Sequence, residues 1–405
     1  MRKKVLFVIL DGAADDAPNT AFMEAYKPNL DLLTKNGFAG LLENRYGEHP
    51  DSGISNFVLL GYSEDEYPGR GYLEAQGANM KITPDSIYVR ANFASVKEEV
   101  CDELKTGTFK PKLIIVDRRA GRDNTGLFEM AKSIKEFFLD GVRIDFYKSL
   151  GHRGVVAMNS IGLSPNVSDS DPNEKGNEVL DVLPLTGDDK AMKTAAALNK
   201  FSEEVYKILK DHPSNKYRDI PANYILLRGA SQYQYVKSFK DKFGLTGACI
   251  AASPVIKGIA RALEMDIIEV SGATGDMKTN LTEKTLKALD ALNKYDFVIL
   301  HILGADVASH DKNPAQKRMF IEKMDREVFR RILEYVNFDK TIVAVTSDHV
   351  TTVKDGEHKS GFVPFAIYTR GIEPNQVMKY DEKSCKLGPV THTEEFMEEL
   401  FKFIA

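Results

Sequence analysis

Short apolar, β-rich segments recur along the chain with helical patterns between them, and several end in charged residues. Lys4–Leu10, Lys112–Val116, Tyr224–Leu227, Asp266–Val270, Phe297–Ile302 and Thr341–Val345 read as strands. Met130, Ile134, Phe137 and Phe138 fall at helical spacing before Gly141, and Val205, Ile208 and Leu209 repeat the pattern. Phe320, Met324, Val328, Ile332 and Tyr335 mark a longer amphipathic helix. The alternation predicts an α/β fold with a mostly parallel sheet flanked by helices. Ser160–Asn177, rich in Ser, Asp, Asn, Pro and Gly, is expected to be a loop. At 405 residues the chain exceeds the roughly 250–300 that one core ordinarily serves, so two domains are expected.

Composition narrows the partners. The chain has 54 basic and 59 acidic residues, a net charge of −5, which argues against nucleic acid or an anionic membrane as the main partner. A small anionic substrate in a local basic pocket stays compatible with it. The cysteines, Cys101, Cys249 and Cys385, are odd in number and widely spaced, so neither a disulfide framework nor a thiolate zinc site is suggested. A reducing, cytoplasmic location is expected. The run Val5–Leu10 is too short for a signal sequence or a membrane span and reads as a first buried strand. Oligomeric state is not legible.

Ligands of open α/β sheets bind outside the carboxyl ends of the strands, which directs attention to the charge found there. The first strand delivers Asp11, the Phe297 strand runs on to Asp306, the Thr341 strand delivers Asp348-His349, and the Lys112 strand delivers Asp117-Arg118-Arg119. Any one such aspartate is ordinarily a helix cap or a turn residue. Asp306 and His310, however, are four residues apart and would share a face if their segment opens a helix, where one divalent ion could bridge them. His358 could fold back over the same place. Histidine is scarce, eight in the whole chain, yet three lie near acidic partners in this short stretch. Mixed carboxylate and imidazole ligation suits zinc or manganese better than calcium. Ser52, in Pro50-Asp51-Ser52-Gly53-Ile54-Ser55-Asn56, offers a hydroxyl that a metal could activate.

Leu10-Asp11-Gly12, a downstream serine, Asp306-x-x-x-His310, Asp348-His349 and a final histidine resemble, in that order, the alkaline phosphatase superfamily. More narrowly, the chain resembles the archaeal-type cofactor-independent (2,3-bisphosphoglycerate-independent) phosphoglycerate mutases. The strings that carry this are Leu59-Leu-Gly-Tyr62, Gly69-Arg-Gly-Tyr-Leu-Glu-Ala75, Arg90-Ala-Asn-Phe-Ala94, Val116-Asp-Arg-Arg-Ala-Gly-Arg122, His152-Arg-Gly154, Ser170-Asp-Pro172, Ala222-Asn-Tyr-Ile-Leu-Leu-Arg-Gly-Ala230, Gly247-Ala-Cys-Ile250, Ile256-Lys-Gly-Ile-Ala260 and Gly272-Ala-Thr-Gly275. They span essentially the whole chain.

The resemblance implies an alkaline-phosphatase-like metal-binding domain made of residues 1–80 and 236–405, with a smaller α/β substrate-binding domain, 81–235, inserted. It implies two divalent ions, manganese first and zinc or cobalt as alternatives, with no 2,3-bisphosphoglycerate. One ion would be held by Asp306, His310 and His358, the other by Asp11, Ser52, Asp348 and His349. Ser52 would take the phosphoryl group from 3-phosphoglycerate and return it to the 2-hydroxyl, a step of glycolysis and gluconeogenesis. Asp117 would exchange protons with the hydroxyls, and Arg118, Arg119, Arg122, His152, Arg153, Arg228 and Lys257 would bind the substrate anions. The substrate is expected to be caught between the domains, which would close to exclude water.

Three places depart from the family's usual pattern. Asp51-Ser52-Gly53 stands for Gly-Ser-Asp, Val350-Thr351-Thr352 for Ser-Thr-Pro, and Asp171-Pro-Asn173 for Asp-Pro-His. None removes an expected metal ligand. Two other readings stay open on sequence grounds: a phosphomonoesterase or phosphodiesterase of the same superfamily, and a non-catalytic metal-binding relative.

Overall fold

The computed structural model describes residues 2–44, 51–99 and 112–404. Pro50 and Cys101 lie outside them. The chain divides into two compact units, Met1–Tyr67 with Val236–Ala405, and Pro68–Tyr235. The first crossing comes at Tyr67/Pro68, ahead of the 80/81 boundary expected from the sequence. The reason is the Arg70–Gly77 helix, which packs on the Ile87–Glu99 and Tyr224–Gln232 strands of the second unit. Gly71 is required in that packing, since a Cβ there would lie 2.0 Å from the Tyr88 carbonyl oxygen.

The first unit is built on an eight-stranded sheet in the order Asp266–Ile267, Gly247–Ile250, Phe297–Ile302, Lys4–Leu10, Thr341–Thr346, Gly361–Tyr368, Phe38–Asn44 and Val390–His392. The first five strands are parallel, Gly361–Tyr368 runs antiparallel to both neighbours, and Val390–His392 is parallel to Phe38–Asn44. The mixed α/β class with a mostly parallel sheet is therefore the observed one. Phe297–Ile302 and Thr341–Thr346 are buried along their whole length, as continuous apolar runs covered on both faces should be. In the register of the central strands, Ile9 pairs with His301 on one side and with Thr346 on the other. Three strands thus end at one level. Asp266–Val270 is a strand only over Asp266–Ile267.

The second unit holds a six-stranded sheet in which every pairing is antiparallel. The predicted Lys112 and Tyr224 strands belong here and not to the parallel sheet. The helix expected through Phe137 and Phe138 is a correction: Leu127–Ser133 is helical, but Glu136–Leu139 is a strand paired with Val142–Lys148. Asp140 and Gly141 both take positive φ, 50° and 76°, the paired left-handed geometry of a tight hairpin. The Asp-Gly dipeptide outweighs the apparent helical spacing. The Asp189–Lys210 helix lays Leu198, Phe201, Val205 and Leu209 into the core beside Ile87, Val89 and Phe93. Among the described residues no helix is long and apolar enough to cross a membrane.

One buried polar network braces the first unit near the ends of its central strands. Lys317 Nζ donates to the Ala14 carbonyl at 3.1 Å, to Asp15 Oδ2 at 3.1 Å and to the Thr351 carbonyl at 2.9 Å. Every ammonium proton has an acceptor, the condition under which a buried lysine is tolerable. Glu382 accepts from the Asp15 N–H at 3.0 Å and from the Thr20 hydroxyl. Burial pushes the Glu382 carboxyl up to about 7, against the opposing pull of Thr20, Asp15 and Lys317. A carboxyl raised by folding favours its protonated form in the folded state. Its contribution is full below the ordinary carboxyl range and is lost as pH rises through about 7. Between about pH 5 and about pH 8 the unaltered chain should lose up to roughly 3 kcal/mol relative to Glu382→Gln, as measured by urea unfolding of both at each pH.

Candidate active site

Asp11 leaves the Lys4–Leu10 strand and turns at Gly12, whose φ is +58°. A Cβ at Gly12 would sit 2.5 Å from Asp306 Oδ1 and 2.6 Å from Thr351 Oγ1, so only glycine fits. The Gly12 N–H donates to Asp348 Oδ1 at 3.1 Å, binding the first strand end to the third. His349 donates its own N–H to the same oxygen at 3.0 Å. Asn56 Nδ2 donates to Asp348 Oδ2 at 2.6 Å and also to the Ser52 carbonyl at 2.8 Å. Asp348 and the turn that carries Ser52 are therefore fixed to each other.

Asp306 and His310 do lie on one face of a helix, Gly304–His310, with His310 Nε2 at 3.3 Å from Asp306 Oδ2. His358 returns through a short antiparallel pairing, Val350–Thr351 against His358–Lys359, and places Nε2 at 3.3 Å from Asp306 Oδ1 and 3.2 Å from His310 Nε2. His310 Nδ1 lies 2.6 Å from the Gly356 carbonyl, an acceptor, so it carries the ring proton and Nε2 presents a lone pair. A carboxylate and two imidazole nitrogens thus converge. Burial raises the Asp306 carboxyl, but His310 and His358 outweigh it and hold the group well below the usual carboxylate range.

His349 stands between this group and Asp11. Its Nε2 is 3.1 Å from Ser52 Oγ, 3.4 Å from Asp348 Oδ2 and 3.5 Å from Asp11 Oδ1. On its other side Thr351 Oγ1 lies 3.0 Å from Nδ1 and donates to Asp306 Oδ1 at 3.0 Å. Since the hydroxyl has one proton and gives it to Asp306, it must accept from Nδ1–H, which leaves the Nε2 lone pair facing Ser52. Burial, helped by His358, pushes His349 well below its ordinary value and keeps it neutral. Burial likewise raises the Asp348 carboxyl, partly offset by His301.

These donors form two groups whose ligand atoms lie within 4.8 Å of one another: Asp306, His349 and His358, and Asp11, His301 and Asp348. Carboxylates and neutral imidazoles at that spacing fit divalent cations. Among carboxylates and imidazoles the grouping differs from the sequence expectation in three respects: His349 falls with Asp306, His310 is not in that group, and His301, which was not foreseen, joins Asp11 and Asp348. The signal for it was faint, a histidine within the apolar run Phe297–Ile302. Thr351 and Asn56, also unforeseen, carry no pattern that a sequence reveals, because their roles depend on chain segments far apart.

The remaining expected residues lie in the second unit, Lys257 excepted. Asp117 Oδ1 accepts from the Arg119 N–H at 2.7 Å and the Gly121 N–H at 3.0 Å, shaping a turn in which Ala120, Gly121 and Arg122 all have positive φ. Ala120 and Arg122, the two that are not glycine, carry backbone strain held by the surroundings. Burial, and then Arg153, Arg119, Arg90 and Arg122, push His152 well below its ordinary value, which marks a region dense in positive charge. Arg118 places Nε and Nη2 on buried Asp171 at 2.9 and 2.7 Å and Nη2 on Asn173 at 2.8 Å. Arg228 lies 3.6 Å from Asp169 and 3.9 Å from Asp171. In the first unit, Lys257 pairs with Glu269 at 2.6 Å.

A mixed α/β domain with carboxylate–imidazole clusters beside a helix-initial serine has the build of a metal-dependent enzyme. Comparison with known proteins specifies it. Residues 34–215 match the family model described as 2,3-bisphosphoglycerate-independent phosphoglycerate mutase. A protein of that name from Methanopyrus kandleri is 39% identical, covering 96% of this chain and 93% of its own. Another from Archaeoglobus fulgidus is 38% identical, over 95% and 93%. The solved cofactor-independent phosphoglycerate mutase from Thermoplasma acidophilum is 31% identical with a TM-score of 0.61, covering all of both chains. A solved protein of Pyrococcus horikoshii is 26% identical with a TM-score of 0.77, over 100% of this chain and 98% of that one. The chain belongs to the 2,3-bisphosphoglycerate-independent phosphoglycerate mutase family.

Two substitutions test the geometry. Thr351→Val removes the hydroxyl between His349 and Asp306 without changing volume much, and metal affinity by calorimetry should fall roughly tenfold or more. Gly12→Ala should abolish tight binding of at least one ion, because its Cβ enters the space of Asp306 and Thr351.

Proposed function

We propose that this chain interconverts 3-phosphoglycerate and 2-phosphoglycerate through phosphorylated Ser52, without 2,3-bisphosphoglycerate, as a cytoplasmic step of glycolysis and gluconeogenesis. The observation that supports it most is Ser52 Oγ at 3.1 Å from the bare Nε2 of His349, amid Asp11 and Asp348. Asp11, Ser52, Asp348 and His349 are proposed to hold one divalent ion and Asp306, His310 and His358 the other, manganese for preference. Such ions, when bound, supply the positive charge that lowers the pKa of a serine hydroxyl and offsets that of phosphoryl oxygens.

The protein's own groups do the rest. Asn56 holds the Ser52 backbone against Asp348, so the hydroxyl is aimed before substrate arrives. In the first half-reaction Ser52, ionised with its proton given up to solvent, bonds to phosphorus as the bond from phosphorus to the 3-oxygen breaks, and protonated Asp117 gives the departing oxygen its proton. In the second, Asp117 takes the proton of the 2-hydroxyl, which attacks phosphorus and releases Ser52. Arg119, Arg122 and Arg153 are proposed to bind the carboxylate and phosphate oxygens, with neutral His152 as a hydrogen-bond partner. Arg228 and Lys257 are proposed to assist them. Arg118 is proposed to join them, while its bonds to Asp171 and Asn173 steady the loop that carries Arg119 and Arg122. Asp51 caps the helix by accepting from the Gly53 N–H at 2.7 Å, a structural use of the altered Asp-Ser-Gly string.

With metal restored and no 2,3-bisphosphoglycerate added, 3-phosphoglycerate should yield 2-phosphoglycerate and little free phosphate. Ser52→Ala should lower kcat on the order of a thousandfold or more, and a chelator should abolish turnover. Free phosphate in place of 2-phosphoglycerate would favour a phosphomonoesterase.

A further inference from the structure

His301 has no part in the proposed reaction, yet it faces the centre of the site. It sits next to last in the Phe297–Ile302 strand, fully buried, at the register position paired with Ile9. Its Nε2 lies 3.1 Å from Asp11 Oδ2, and it groups with Asp11 and Asp348 as a potential ligand set. Neither ring nitrogen makes a hydrogen bond of acceptable geometry among the described residues. A fully buried imidazole without a hydrogen bond on either nitrogen is costly, because water no longer satisfies it. Lys284, also buried, donates to the His301 carbonyl, which pins the backbone that carries the ring.

We propose that His301 is a further ligand of the divalent ion held by Asp11 and Asp348, so that this ion takes imidazole from two different strand ends, His301 and His349. The inference rests on the two-ion reading of the site. It explains the unsatisfied Nε2 and the placement of a polar ring within an otherwise apolar strand. It also gives the position of His349 a reason: with His301 on the Asp11 side, His349 can lean toward Asp306 without leaving the second ion short of nitrogen donors.

The test uses the full chain, stripped by chelator and titrated with manganese or cobalt, comparing the unaltered protein with His301→Gln and His301→Leu. Apo-protein melting reports folding of each variant. The expected result is two ions in the unaltered chain and, in both variants, an at least tenfold weaker second ion with the first unchanged and a shifted cobalt absorption band. Two ions at unaltered affinity with an unchanged band would overturn the role of His301 alone. Fewer than two ions in the unaltered chain would overturn the two-ion reading itself. Electron spin-echo modulation of the manganese-loaded unaltered chain counts the bound imidazoles without any substitution. Four, from His301, His310, His349 and His358, support the proposal, and three overturn it.

Discussion

The parallel register of three neighbouring strands governs everything at this site. Because Ile9 is paired with both His301 and Thr346, the segments beyond Leu10, Ile302 and Thr346 leave the sheet at one level. Asp11, Asp306 and Asp348 owe their proximity to that alignment, not to any closeness in sequence. A slip of one residue in any of the three strands would turn its side chains to the opposite face and remove one carboxylate from the group. The continuous burial of these strands is what forbids the slip.

A second layer of polar contacts converts proximity into aim. Thr351 stands between His349 and Asp306 and fixes which nitrogen of the ring faces Ser52. Asn56 does the same for Ser52 and Asp348, and the Gly356 carbonyl for His310. Each uses the short reach of one hydrogen bond to settle an orientation that packing alone would leave open.

Much of this was legible in the sequence, for physical reasons that can be named. Apolar runs closed by aspartate announce strand ends, and the Asp306–His310 spacing announces a shared helical face, which the Gly304–His310 helix provides. The antiparallel nature of the second unit was not legible, since a short apolar run reads alike in either kind of sheet. Phe137 and Phe138 misled because two aromatic residues fit a helical spacing by chance, while Asp140-Gly141 held the decisive turn. His301 escaped because a single polar residue in a strand has no spacing partner. The partners of Arg118 escaped as well, because Asp171 and Asn173 lie more than fifty residues along the chain from it.

Lys317 carries an implication for the site. By tying Ala14, Asp15 and Thr351 together with all of its protons, it braces the two segments that bear Asp11, Asp348 and His349. Three hydrogen bonds from one buried ammonium thus hold those segments to each other as part of the fold. The segments that carry these groups thus take their positions from the interior of the first unit, so a change at Lys317, whose hydrogen bonds go to Ala14, Asp15 and Thr351, would be felt at the site itself.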